Sequence, residues 1–245
     1  MKEWIAGRNP VYECLRAGRR HFFRLWLAKG VEHKNKISEI LTLAAERKLQ
    51  MESVERGQLA DFGDNPQGVA LQVSAYPYVD LGQIIKQAKE SAEPLFILML
   101  DSLQDPQNLG TLMRTAEAVG VHGIVIPEHR SASVTSAVVH ASSGASEHLK
   151  VAQMNLVQAI DLIKAEDGWV VGLESGENAQ AFEPKLFSGA LALVVGSERD
   201  GMRDLVKRKC DHLVRLPMRG KVDSMNAAVA GSIALYLAFL QRKIQ

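Results

Sequence analysis

Three polar segments of the 245-residue chain each follow an apolar run, and their side chains could bind and polarise a ligand. They read DSLQDPQNLGTLMR (101–114), GSERDG (196–201) and LPMRGKVDSMN (216–226). Amide and carboxylate groups can orient a hydroxyl by hydrogen bonds. An arginine stays protonated, so it can hold a phosphate or stabilise developing negative charge. Because ligands of open parallel sheets bind beyond the carboxyl ends of the strands, we expect these segments to form one site.

The apolar runs before these segments predict the strands that must hold them. Leu95–Leu100, Leu191–Val195 and His212–Leu216 have the length of short buried strands, and helical patterns follow at Leu109–Val119 and Met225–Leu240. Strands and helices alternate through this part of the chain. The alternation predicts an α/β fold with a mostly parallel sheet covered on both faces.

The first part of the chain predicts a separate small α/β module. A helix opens at Arg8, a strand runs from Phe22 to Leu27, a second helix spans Ile37–Leu49, and a strand alternates over Gly68–Ala75. A polar connector with Pro77 and Pro94 follows. We therefore expect three segments, namely a small domain at 1–76, a linker at 77–93 and a second domain at 94–245.

Composition and missing motifs exclude several classes of protein. The chain has 47% hydrophobic residues and a net charge of +1, but residues 1–50 carry 11 Lys/Arg against 5 Asp/Glu, which indicates a basic module that meets phosphates. The chain contains no GxGxxG, P-loop, HExxH, GxSxG or CxxC pattern. A metal site is therefore not expected. Without a signal peptide or an apolar run long enough for a membrane span, we expect a cytoplasmic protein.

The three polar segments together resemble the motifs of the SpoU-type RNA ribose 2′-O-methyltransferases of the SPOUT superfamily. Asn108-Leu109-Gly110 with Arg114 is similar to the first motif, and Val195-Gly196-Ser197-Glu198 through Gly201 is similar to the second. Leu216-Pro217-Met218, followed by Ser224-Met225-Asn226, is similar to the third. The opening IAGRNPV (5–11) resembles the start of the family's small RNA-binding domain, so the resemblance spans nearly the whole chain. It is greatest to the bacterial subgroup that methylates a guanosine in large-subunit ribosomal RNA.

The resemblance implies a fold with a C-terminal trefoil knot, a homodimer, and S-adenosyl-L-methionine as methyl donor. Backbone groups near the knotted loops would hold the donor. The cofactor-binding residues implied are Gly196, Gly201, Leu216, Met218 and Met225.

Methyl transfer to a ribose needs the hydroxyl to be positioned, its proton removed and negative charge stabilised. The resemblance implies that Arg114, Asn108, Glu198, Ser224 and Asn226 form the catalytic set. Simpler interpretations stand beside these roles. Arg114 could be a surface residue, Asn108 and Ser224 could be helix N-caps, and Glu198 could be a first-turn acid.

The basic first module supplies candidate phosphate contacts, for which we choose Arg8, Arg19, Arg20 and Arg24. Two positions depart from the family pattern. Pro66 stands where a histidine is common, and Arg199 where a small residue is common.

Ribosomal RNA methylation is therefore the leading hypothesis. The same chemistry on tRNA, or on another ribosomal site as in an antibiotic-resistance methyltransferase, stays open. So do a ribosome-assembly factor that binds RNA without catalysis and a nucleotide-dependent enzyme acting on a small molecule.

Overall fold

The computed structural model describes residues 2–62, 65–129, 131–176, 178–198 and 200–243. These residues form two compact units. Unit 1 contains residues up to Pro77 together with Val134–His148, and unit 2 contains Tyr78–Ser133 and the chain from Leu149 onward. Helices and strands are numbered below in chain order.

Unit 1 is built on a four-stranded mixed sheet. Its order is β1-β4-β2-β3, in which β4 is antiparallel to β1 and β2, while β2 and β3 are parallel. Both faces of the sheet carry buried side chains, such as those of the neighbours Ala70 and Leu71, because successive side chains point to opposite faces of the strands. They are β1 (Lys2–Ala6), β2 (Phe22–Ala28), β3 (Gln50–Val54) and β4 (Val69–Ser74).

The helices of unit 1 pack against this sheet and bury an aliphatic core. Gly18 ends the first helix in a left-handed conformation, as the sequence predicts. The helices are α1 (Arg8–Ala17), α2 (Lys36–Glu46), the short α3 (Arg56–Leu59) and α6 (Ser136–Ala141). Among the fully buried core side chains are those of Val11, Leu15, Leu25, Ile37, Ile40 and Leu71.

A buried ion pair ties the later segment of unit 1 to its first residues. The guanidinium of Arg20 donates to both carboxylate oxygens of Glu147, each at 2.8 Å, and the two side chains are 0% and 1% exposed. Arg20 also donates to Glu3 Oε2 and to the carbonyl oxygen of Ser74. A buried guanidinium needs such partners, because an unpaired buried charge is strongly destabilising.

Unit 2 contains a seven-stranded sheet in the order β7-β6-β5-β10-β8-β11-β9, and every neighbouring pair is parallel. Its central strands are buried throughout, as in sheets covered on both faces. The strands are β5 (Phe96–Leu100), β6 (Gly123–Ile126), β7 (Val151–Gln153), β8 (Trp169–Leu173), β9 (Gln180–Ala181), β10 (Leu191–Val195) and β11 (His212–Arg215).

Five α-helices among the described residues cover this sheet. One of them lies in the segment predicted as a linker, where Leu81, Ile84, Ile85 and Ala88 belong to the core of unit 2. No helix among the described residues is both long enough and apolar enough to span a membrane. The helices are α4 (Leu81–Glu90), α5 (Pro106–Ala118), α7 (Leu156–Lys164), α8 (Asp204–Lys209) and α9 (Ala227–Lys243).

The structure confirms the predicted fold class, with an N-terminal α/β domain and a parallel-sheet C-terminal domain. The strands predicted before the three polar segments are present within one residue at each end. The sequence did not predict β1, β3, β7, β9, α3 or α7. The trefoil knot stays a prediction.

Replacing Glu147 by Ala should lower the free energy of unfolding by about 3–5 kcal/mol, because Arg20 would keep its buried charge without its main partner. Denaturant unfolding measures this loss. Glu13→Ala is the matched control, since Glu13 binds His148 in the same segment but both side chains are about a quarter exposed. A loss as large for Glu13→Ala as for Glu147→Ala would contradict the role of the buried pair.

Candidate active site

Helix α5 brings the first polar segment to the carboxyl edge of the sheet of unit 2. Asp105 is its N-cap, accepting from the backbone N–H of Gln107 at 3.1 Å, and Pro106 occupies the first helical position. Asn108 therefore lies in the first turn and is not the cap. Its side-chain amide is available for other contacts.

The second segment forms a tight loop directly after β10. Ser197 and Gly201 exchange two backbone hydrogen bonds, of 3.0 and 3.1 Å. Gly201 has a φ of +64°, and a Cβ on Gly196 would overlap the backbone of Gly201 and Met202. Glycine is thus required at 196 because the chain folds back onto that residue. Glu198 lies within this loop, before α8, and is not a first-turn acid.

A buried carboxylate holds the ends of this loop in place. Asp101, fully buried, accepts from the backbone N–H and the Nε of Arg203, each at 2.7 Å. The backbone N–H of Asp101 donates to Val195 at 2.8 Å. The carboxyl ends of β5 and β10 are therefore joined to the chain that follows Gly201. The sequence analysis did not single out either Asp101 or Arg203 as a site residue.

The third segment reaches the site through the start of α9. Asn226 caps this helix, because its Oδ1 accepts from the backbone N–H of Val229 at 3.1 Å. That cap had been considered for Ser224. The Nδ2 of Asn226 donates to Asn108 Oδ1 at 3.1 Å and to Glu198 Oε1 at 2.7 Å.

Asn108, Glu198 and Asn226 thus form one hydrogen-bonded cluster, which we call the polar triad. The side-chain amide of Asn108 donates to Glu198 Oε1, which closes the triangle. Each member comes from a different polar segment, separated by 28 to 118 residues in sequence. An oxygen of Glu198 that accepts from two amides is held in a fixed direction.

A cavity of about 670 Å³ lies beside the triad, and we call it the main cavity. Its volume is in the range of small-molecule and cofactor sites. Its lining is mixed, with backbone of the tight loop, apolar side chains and a few polar groups. Glu198 and Ser224 line it, as do all five predicted cofactor-binding residues, namely Gly196, Gly201, Leu216, Met218 and Met225.

Glu174 is a wall residue of the main cavity that the sequence analysis missed. Burial would raise the pKa of its carboxyl group, but Lys207 and the backbone N–H groups of Ser175 and Gly176 outweigh this and hold the pKa below its ordinary value. The cavity wall therefore carries an ionised carboxylate. Glu174 follows β8 directly. The rule that ligands bind beyond the carboxyl ends of parallel strands could therefore have identified it from the sequence.

Arg114 lies further along α5 and is exposed. Six residues of helix separate it from Asn108, which places it about 9 Å along the axis and about 120° around it. Arg114 therefore occupies a different side of α5 from the polar triad. Arg199 lies outside the described residues.

The predicted RNA-binding arginines of unit 1 occupy different surroundings. Arg8 is exposed, and Arg24 is half-buried over the rings of Trp4 and Trp26. Arg19 is half-buried and donates to the carbonyl oxygens of Pro77 and Glu147. Arg20 is buried in its ion pair, so its guanidinium cannot also hold a phosphate in this structure.

Comparison with known proteins assigns this arrangement to a class. The family model of the SpoU rRNA methylases matches residues 95–236, and the model for RNA 2′-O ribose methyltransferase substrate binding matches residues 4–79. The chain belongs to the SpoU methylase family of RNA methyltransferases.

Particular relatives match along the full chain. The Bacillus subtilis protein named as a TrmH family tRNA/rRNA methyltransferase, YacO, is 41% identical over 242 residues, which cover 98% of this chain and 96% of the relative. An S-adenosylmethionine-bound rRNA methyltransferase from Sinorhizobium meliloti has the same fold, with a TM-score of 0.77 and 24% identity over 97% of this chain and 86% of that one. The TrmH/SpoU tRNA modifying enzyme of A. aeolicus covers only 67% of this chain and 85% of its own, with a TM-score of 0.55 and 24% identity.

Gly196→Ala should abolish ligand binding in the main cavity and lower the thermal stability, because the added methyl group would overlap backbone that cannot move independently. Calorimetric titration with S-adenosylmethionine and a thermal melt measure both effects. Gly220→Ala is the control, since a Cβ at Gly220 meets nothing within 4 Å. Equal behaviour of the two variants would show that the close approach at Gly196 is unimportant.

Proposed function

We propose that this protein transfers a methyl group from S-adenosylmethionine to the 2′-hydroxyl of a guanosine in large-subunit ribosomal RNA. The observation that carries the proposal is the polar triad, which joins three family motifs at the edge of the main cavity. Such a reaction would place the protein in the cytoplasm.

The main cavity fits the proposed donor in size and in the chemistry of its lining. When bound, S-adenosylmethionine supplies an electrophilic methyl group on a positively charged sulfur. The backbone of Gly196, Gly201 and Leu216 would hold the adenine edge, and Met218 and Met225 would pack against its apolar parts.

The triad and its neighbours would act on the acceptor. The fixed oxygens of Glu198 and Asn108 can accept a hydrogen bond from a ribose hydroxyl and so orient it. Ser224, exposed at the cavity edge, offers a further hydrogen-bonding group. Arg114 would neutralise an RNA phosphate or the developing alkoxide, since its guanidinium stays charged.

Two observations favour ribosomal RNA over tRNA. The rRNA methyltransferase of S. meliloti matches this chain in both domains, whereas the tRNA modifying enzyme of A. aeolicus matches two thirds of it. The residues matching the substrate-binding family, 4–79, belong almost entirely to unit 1 and carry 11 Lys/Arg against 8 Asp/Glu, a positive balance that favours a large structured RNA. Methylation of tRNA is the second candidate, because the name of YacO includes both substrates.

The proposal is tested with methyl-labelled S-adenosylmethionine and ribosomal RNA from a strain that lacks the enzyme, digested to nucleosides after reaction. Labelled 2′-O-methylguanosine is expected from the wild type. Arg114→Ala should lower the rate at least about 10²-fold, the cost of removing one group that stabilises transition-state charge. Its affinity for S-adenosylmethionine should stay within about twofold, because Arg114 does not line the main cavity.

Arg208→Ala is the matched control, since Arg208 is an exposed arginine on α8 in the same unit. It should keep wild-type activity. A parallel reaction with tRNA from the same strain separates the two substrates. Label on a base, or RNA binding without any methyl transfer, would refute the proposal and favour a ribosome-assembly factor.

We also propose that the protein is a homodimer joined through the outer face of α9. Val229, Ile233, Tyr236 and Leu240 are 40–54% exposed, and their spacing of four, three and four residues places them in one stripe. The stripe begins beside Asn226, so an interface there would adjoin the polar triad. A second copy with the same stripe is the simplest apolar partner, because twofold interfaces are self-complementary.

Ile233→Asp should convert this dimer to a monomer, because a carboxylate would be buried without a partner at the centre of the interface. Light scattering coupled to gel filtration measures the mass. Leu162→Asp is the control, since Leu162 is 48% exposed on α7 and lies outside the stripe. A monomeric wild type, or a dimer that survives Ile233→Asp, would contradict the proposed interface.

A further inference from the structure

Unit 1 contains a cleft of about 480 Å³. Only some of its lining residues belong to the family motifs described above. It lies where the start of α1 meets the residues before β4 and after β2, with α3 at its side. We call it the N-terminal cleft. Its lining residues are Arg8, Ala28, Val31, Arg56, Leu59, Asn65, Pro66, Gln67 and Gly68.

The N-terminal cleft is positively charged. Arg8 and Arg56 both line it, whereas none of the described lining residues is acidic. Arg8 donates from its backbone N–H and its Nε to Gln67, which are contacts with neutral oxygens. Arg56 has no hydrogen-bond or ion-pair partner among the described residues. Two guanidinium groups that no described lining residue neutralises favour an anionic ligand, and guanidinium geometry matches phosphate.

The floor of the cleft is apolar, which a simple anion site would not need. Ala28 and Leu59 are buried there, and Val31 forms a partly buried wall. A flat ring can pack on such a surface, and its removal from water would be favourable. The volume is also several times that of a single phosphate group and falls in the range of small-molecule sites.

The rim of the cleft offers amide groups that can recognise the edge of a base. Asn65 and Gln67 each carry a donor and an acceptor. Gln67 Oε1 accepts from the backbone N–H of Arg8 at 3.0 Å, which fixes the amide and leaves its NH₂ group for a ligand. The backbone carbonyl oxygen of Gly68 accepts from Ala28 at 2.9 Å, so the rim is joined to the floor.

We propose that the N-terminal cleft binds one unpaired nucleotide of the RNA substrate, with its base on the apolar floor and its phosphate between Arg8 and Arg56. This inference rests on the proposed function, because it assigns a part of the RNA to unit 1. Proteins that recognise RNA sequence commonly take up unstacked bases in this way. The cleft would therefore contribute to the choice of methylation site while taking no part in methyl transfer.

The first test is an NMR titration of the isotope-labelled full-length protein with guanosine monophosphate, adenosine monophosphate, guanosine and inorganic phosphate. A monophosphate is expected to shift the amide signals of Val31, Leu59 and Gly68 with saturation, at several-fold lower concentration than guanosine or phosphate. Equal effects of inorganic phosphate and the monophosphates would reduce the cleft to an anion site and overturn the proposal.

The second test measures ribosomal RNA affinity for the double variant Arg8→Ala/Arg56→Ala. The affinity should fall at least about tenfold. The control Lys34→Ala/Lys48→Ala removes the same charge from exposed residues of unit 1 outside the cleft and should change affinity by less than about threefold. Equal losses in the two double variants would overturn the proposal, because only net charge would then matter.

Affinity for S-adenosylmethionine distinguishes this proposal from the proposed function. Calorimetry should give the same donor affinity for the wild type and Arg8→Ala/Arg56→Ala, and saturating RNA should restore most of the methyl transfer by that variant. A wild type that transfers no methyl group to any RNA would instead refute the proposed function, whatever the cleft binds.

Discussion

The close approach of the chain to Gly196 is the constraint on which the candidate site depends. A side chain at this position would overlap the backbone five residues later, so the loop can form only around a glycine. The tight loop in turn places Glu198 at the edge of the main cavity. Asp101 then fixes the chain leaving the loop through two hydrogen bonds from Arg203. Steric exclusion at one residue thus determines where the carboxylate of the polar triad lies.

Asn226 combines a structural role with a place in the proposed site. Its oxygen caps α9, while its nitrogen donates to both other members of the polar triad. The direction in which α9 starts is therefore coupled to the geometry of the triad. The same helix carries the exposed apolar stripe, so the proposed dimer contact and the site share one rigid element.

The sequence predicted the parts of the fold that local patterns determine. Buried strands such as Leu191–Val195 are continuous apolar runs, and the polar segments after them mark the site. By contrast, β3 (Gln50–Val54) lies mostly exposed at a sheet edge, and β7 has only three residues, so neither gives a strong periodic signal. The cap that the sequence offered as an alternative role for Ser224 belongs to Asn226, because serine and asparagine are both good caps.

Arg20 illustrates what no local pattern can reveal. In sequence Arg20 belongs to a basic stretch of a kind that is usually exposed. Its charge is nevertheless buried against Glu147, 127 residues later. Glu147 lies in a segment that falls between strands of unit 2 in sequence but belongs to unit 1. A fragment ending near residue 77 would contain Arg20 without its main partner. The match of the substrate-binding family to residues 4–79 describes shared ancestry. A stable unit must also include the later segment that holds Glu147, because the buried charge of Arg20 needs its partner.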